Sequence, residues 1–216
     1  MHANLMRALL AAVSLCALAL NVSAADSAAD AASIRKTFGD YQKALLDGDG
    51  AKAAEVVSAR TIAYYDDALT QALSTPREKL AKLDIITKLM VLRLRHEFDK
   101  ARLTGMSGRE LLVFAVDKGW ISKSSVASFE GLEIEVDGPK ASAEVAAFPG
   151  VPLFHFVKEG GQWKLDLVES FGLAGQAFGQ EVAKSGMPEE EFLLRILGVL
   201  SPDRKVDERI LAGPRE

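Results

Sequence analysis

Near Ile121 the hydrophobic period of this chain changes from roughly 3.6 residues to two, and no other feature limits the fold as strongly. Before that point apolar residues recur at helical spacing. After it they alternate through two hairpins, and helical spacing returns only toward the C-terminus. Helices and strands segregated in this way specify an α+β domain with an antiparallel sheet. The 216 residues, 49% of them hydrophobic and 26% charged, supply one core of ordinary size, and no repeat or low-complexity linker marks an internal boundary.

The strands are the most sharply specified part. Leu132, Ile134 and Val136 alternate, Asp137 to Lys140 turn, and Ala141, Ala143 and Val145 answer on the return. In the second hairpin Phe154 to Glu159 and Gln162 to Leu167 flank Gly160-Gly161, a pair that accepts the positive φ of a tight turn. A two-residue turn sets Phe156 opposite Leu165 and His155 opposite Asp166. Phe154, Phe156, Trp163, Leu165 and Leu167 then share one face, and His155, Val157, Lys164 and Asp166 the other.

Upstream, Ile34, Phe38, Tyr41 and Leu45 define an amphipathic first helix closed by Gly48-Asp49-Gly50, and Ala51 to Ser58 a second with Ala54 and Val57 inward. Thr61 to Tyr65 is β-branched and aromatic, which reads as a strand. Thr75-Pro76-Arg77-Glu78 is a capping box with proline in the first turn. From there Leu80, Leu83, Thr87, Val91, Leu94, Phe98 and Ala101 hold one stripe, a helix of about six turns ending at Thr104-Gly105. Ser107-Gly108-Arg109-Glu110 is a second capping box, opening a helix with Leu111, Phe114 and Ala115 buried and Gly119 as its stop. Phe171 to Lys184 and, after Pro188, Phe192 to Leu200 return to helical spacing, and residues 201–216 read as a loose tail.

Residues 1–24 are a different material. Arg7 is their only charge, the apolar run from Ala8 to Leu20 is too short to span a bilayer comfortably, and Val22 and Ala24 are the small residues a signal peptidase reads. These features predict a cleaved signal peptide over 1–24, a flexible leader over 25–32, one domain over 33–200, and export, to a bacterial periplasm first and to the outside otherwise. Cys16 does not fit a lipidation site, because Leu15 is too large for the position before it. With the signal go the single cysteine and one of three histidines, so thiol and disulfide chemistry leave the mature chain and His96 and His155 stay. The 26 basic and 30 acidic residues are dispersed, which argues against nucleic acid and anionic lipid as partners. Nothing anchors the chain in a membrane after cleavage, and no residue pattern calls for a cofactor.

The order of two helices, a strand, a helical segment and antiparallel hairpins ending at Gly160 to Leu167 resembles the nuclear transport factor 2-like superfamily. The likeness covers Ser33 to Leu167 and is most telling in Tyr41 to Val57 and Phe156 to Leu167. It implies a curved antiparallel sheet wrapped around the N-terminal helix as a cone. A helical insert over 75–119 and C-terminal helices are additions that can cover or fill the cone's mouth. Members include isomerases and dehydratases, small-ligand binders, and partner-binding domains of bacterial secretion and envelope systems, so the fold alone does not choose among them.

Tyr64, Tyr65, Asp66 and Asp67 form the densest polar-aromatic cluster. A strand end delivering a phenol and a carboxylate can line the cone, where an apolar wall raises a carboxyl pKa as in ketosteroid-isomerase-like members. The same residues also fit one core tyrosine and an aspartate capping the next short helix. His155 and Asp166 can orient an imidazole for proton transfer or form a solvated surface pair. His96 and Asp99, three apart on the polar side of a helix, offer two metal ligands but no closed site. Arg93, Arg95, Lys100 and Arg102 make a basic helix side interrupted by Glu97 and Asp99, with Arg95 placed to pair with Asp99. Trp120 and Trp163 read as core anchors. No acid, base and nucleophile converge by sequence, so three functions stand in this order: a non-catalytic binding or partner module, its protein partner unknown; a carrier of a small apolar molecule; an acid-base isomerase or lyase using Tyr64 or Tyr65 with a carboxylate. The apolar face of Phe192 to Leu200 leaves a homodimer open.

Overall fold

The computed structural model describes residues 26–127 and 131–216, and the signal peptide expected over 1–24 lies outside the described residues. Residues 26–47 form helix α1, with Ile34, Phe38, Tyr41, Ala44 and Leu45 buried along one stripe. The helix takes in 26–32, expected as a flexible leader. That stretch is rich in alanine, the best helix former, and its Asp30 accepts from Lys158 Nζ at 2.7 Å and Trp163 Nε1 at 2.8 Å.

Helices α2 (Gly50–Val56) and α3 (Ala59–Ser74) follow, and α3 corrects the strand expected at Thr61 to Tyr65. Ser58 caps α3 by accepting from Thr61 N at 3.0 Å. Thr61, Tyr65, Ala68, Leu69 and Ala72 are then buried at helical spacing, so tertiary burial overrides the local β preference. The single long helix expected from Thr75 is three: α4 (Arg77–Leu80), α5 (Ile85–Glu97) and α6 (Lys100–Thr104). Thr75 ends α3 rather than capping α4, and two aspartates restart the chain. Asp84 accepts from Ile86 N and Thr87 N at 3.1 and 3.0 Å, and Asp99 from Arg102 N at 2.8 Å. The buried stripe survives at Leu80, Thr87, Val91, Leu94 and Phe98, while Ala101 is exposed. Helix α7 (Gly108–Asp117) has the expected capping box between Ser107 and Glu110, and a short α8 (Ser124–Ala127) leads toward the sheet.

The sheet is a curved antiparallel meander, β1 (Glu133–Asp137), β2 (Lys140–Glu144), β3 (Phe154–Glu159) and β4 (Gln162–Leu165), paired in chain order. In the second hairpin the register is the expected one, with Phe156 opposite Leu165, and in the first Val136 stands opposite Ala141. Gly160 and Gly161 make the turn with φ of 56° and 81°, where a side chain would be strained. The sheet wraps α1: Phe38 meets Phe154 with ring centroids 4.6 Å apart, and Thr37 Oγ1 donates to Trp163 O at 3.0 Å. The fold is therefore α+β, as expected, with a helical insert and C-terminal helices.

Beyond Leu165 the expected strand ends. Asp166 caps α9 (Leu167–Ser185) by accepting from Val168 N at 3.1 Å, so Leu167 is a helical residue. Helix α10 (Glu189–Leu200) buries Leu193 and Leu197. The C-terminal segment, expected to be loose, forms a short 3-10 turn, Glu208–Leu211, with Ile210 and Leu211 buried. No helix among the described residues is long and apolar enough to cross a membrane.

Candidate functional site

On a helix, adjacent tyrosines point about 100° apart, and α3 sends Tyr64 and Tyr65 into different spaces. Tyr65 enters an open pocket of about 300 Å³ bounded by Tyr41 of α1, Phe154 of β3, Val126 of α8, and Leu167 and Phe171 of α9. It opens beside β3 and one edge of α1, with α3, α8 and α9 supplying most of its walls. Tyr41 and Tyr65 are only 2% and 3% exposed, yet among the described residues neither phenol oxygen has a hydrogen-bond partner. Burial pushes the Tyr65 phenol well above its ordinary value, and the nearby phenols of Tyr41 and Tyr64 add to the shift. Burial alone raises Tyr41. Both groups stay protonated at any ordinary pH and present O–H donors to an apolar space. The Ser170 hydroxyl, also in the lining, is already committed to Leu153 O at 2.9 Å.

Tyr64 lies on the outer side, in an open groove of about 600 Å³ between α3, α5 and α9, with Asp67, Gln71, Asp84 and Thr87. Its hydroxyl is 3.5 Å from Thr87 Oγ1, and its ring packs on Phe171 at 4.8 Å between centroids. Burial raises its phenol too, the Thr87 contact opposing and the Asp84 charge adding. Asp84 is occupied as the α5 cap. Asp66 does not join either tyrosine: its Oδ1 accepts from Gly108 N at 2.5 Å, capping α7 across the structure. The tyrosine-carboxylate pairing expected within one strand end is thus divided among a cavity, a groove and a helix cap.

His155 and Asp166 are adjacent, and the Asp166 amide donates to His155 O at 2.8 Å. The Asp166 carboxylate, however, turns to Val168 N and to Arg60 Nη1, each at 3.1 Å. Arg60 also binds Glu169, and this ion pair holds the Glu169 carboxyl below its usual range, with smaller help from His155. The pair therefore belongs to a charged cleft with Arg60, Lys140 and Glu169 rather than to an oriented imidazole. His96 is not on a polar helix side but 2% exposed, and Asp99 is spent on the α6 cap. No group of three or more metal-ligating side chains occurs among the described residues.

Tyr41 was legible only as a core position of α1, because nothing in a helical stripe tells a core phenol from one that lines a cavity. Arg60, from another element, carried no signal beside Asp166. Set against family models, curated proteins and solved structures, the chain matches none.

Proposed function

We propose that the protein is an exported, non-catalytic binding protein whose ligand is a small, mostly apolar molecule with one hydrogen-bond acceptor, held between α1, α3, the sheet and α9. One observation carries the reading: the phenol O–H groups of Tyr41 and Tyr65, without hydrogen-bond partners among the described residues, line an apolar pocket of about 300 Å³. An oxygen on the ligand would accept from these donors in an apolar setting, a hydrogen bond worth about 0.5–1.5 kcal/mol. The volume is at the lower end of the usual range for ligand pockets, which limits the ligand to a small one. The phenols' raised pKa suits donation to a bound oxygen and not proton transfer near neutrality. The resemblance to the nuclear transport factor 2-like superfamily, which includes small-ligand binders, supports the same reading, and the signal-like residues 1–24 support export.

The test uses 2-naphthol and naphthalene, titrated into the purified protein and followed by ligand fluorescence. Saturable uptake is expected, with naphthol the tighter ligand. Tyr65→Phe should weaken naphthol by about three- to tenfold and leave naphthalene unchanged. Ser125→Trp, at the exposed rim of the cavity, should exclude both. Binding that neither substitution alters would place the ligand elsewhere and refute the reading.

A further inference from the structure

A second cleft, of about 620 Å³, lies where the C-terminal ends of α5, α7 and α10 meet. Arg93 of α5 lies over the Trp120 ring, its guanidinium carbon 4.1 Å from the centroid. Its Nε is buried with no hydrogen-bond partner, and among the described residues the terminal nitrogens have none either. Burial holds Arg93 below the usual arginine range, at about 10, with Glu97 opposing, so the group is charged at neutral pH. Lys118 and Arg204 line the same cleft from two other segments. Arg204 spends Nη1 on His96 O and Glu97 O, both at 2.8 Å, leaving its other nitrogens uncommitted. Glu97 and Asp203 also line the cleft, so cations exceed carboxylates there by one, an excess that the negative dipole ends of the three helices partly offset, and neither acid forms an ion pair with Arg93. The lip is apolar: Val199 is 71% and Leu200 43% exposed, the last two residues of α10.

A half-buried guanidinium that keeps its charge but lacks a hydrogen-bond or ion-pair partner is a receiver for an oxyanion, and its planar nitrogens match a carboxylate best. Exposed aliphatic side chains beside it supply a surface for a chain attached to that group. We propose that this cleft is a second binding site, for an aliphatic carboxylate. The carboxylate meets the terminal nitrogens of Arg93, with Lys118 and Arg204 on either side, and its chain lies along Leu200 and Val199. This site is independent of the tyrosine cavity.

Octanoate, octanol and acetate are titrated separately into the purified protein, and the heat of mixing reports binding. A saturable change is expected with octanoate, and binding of octanol and acetate weaker by at least about tenfold, since one lacks the charge and the other the chain. Arg93→Gln should weaken octanoate by at least about tenfold. Because Arg93 also rests on Trp120, Val199→Asp at the exposed lip gives a second test that leaves the core intact, and it too should weaken octanoate. Ser125→Trp, which blocks the tyrosine cavity, should leave octanoate affinity unchanged. The proposal is overturned if octanol binds as tightly as octanoate, if neither cleft substitution alters octanoate affinity, or if Ser125→Trp abolishes it.

Discussion

Arg95 and His96 are neighbours on α5, both buried, and the structure treats them in opposite ways. Arg95 donates to five backbone carbonyls: Ala72 at 2.8 Å, Ile210 at 3.0 Å, Leu211 at 3.3 Å, Gln71 at 3.4 Å, and Thr75. It gathers carbonyls at and just past the end of α3 and ties them to the C-terminal turn. The surface pair expected between Arg95 and Asp99 is absent because all these acceptors lie more than four residues away, in segments no local spacing could connect. His96 has no such provision, its Nε2 being buried without a partner. Burial first, then the Arg204 charge, lowers its pKa from an ordinary value of 6.5, Glu97 opposing and Arg215 adding. The imidazole is neutral in both folded and unfolded chains above that value. Below it the unfolded chain takes a proton that the folded one resists, so stability falls as pH drops from about 6.5 toward the lowered folded pKa. Urea unfolding between pH 7 and pH 5 should show this decline, and His96→Gln should flatten it. An unchanged slope in the variant would assign the decline to other groups.

At the scale of elements, the sheet was legible and the helical half only in part. A hairpin register follows from its own turn residues, so Gly160-Gly161 was enough to place Phe156 opposite Leu165. Thr61 to Tyr65 carries a strand's composition, and only the burial offered by α7 and α5 makes it a helix. Most of the stripe from Leu80 to Phe98 is buried as expected, but Asp84 carries no signal of its own in the sequence and Asp99 reads as a partner for His96 or Arg95, so neither cap is legible. For the site, the sequence marks Tyr65 only as one of a cluster with Tyr64, Asp66 and Asp67 and does not choose between the tyrosines, while Tyr41 looks like any core residue. The α3–α7 contact has its own signature: a Cβ on Gly108 would stand 2.5 Å from Ile62 O and 2.6 Å from Asp66 N. Gly108→Ala should therefore force the helices apart and cost about 1–3 kcal/mol. Gly39→Ala, on α1 with nothing within 4 Å of the added carbon, should instead stabilise by about 0.5–1 kcal/mol. Thermal unfolding of the two variants should shift in opposite directions. A neutral Gly108→Ala would mean that α3 and α7 can separate at little cost.

Across the whole molecule, the last sixteen residues bind the helical half together rather than trailing from it. Arg204 and Arg215 donate to the carbonyls that end α5, Lys100 N donates to Arg215 O at 2.8 Å, and Ile210 and Leu211 enter the core and accept from Arg95. Deleting residues 201–216 removes two buried aliphatic side chains, worth about 1.5–3 kcal/mol each, and strands part of a buried guanidinium at about 1–3 kcal/mol. The expected loss of about 4–9 kcal/mol is a large share of the stability of an ordinary domain, so the urea midpoint should drop steeply. A generic tail would produce a smaller loss, and the cycle with Arg95→Met separates the two cases. In the full chain Arg95→Met abandons five carbonyls, whereas in the truncated chain two of these acceptors are already gone. The substitution should therefore cost less after truncation, by about 1 kcal/mol or more. Equal costs in the two backgrounds would show that Arg95 and the C-terminal turn contribute independently, and that α3, α5 and the chain end are not fastened at this one side chain.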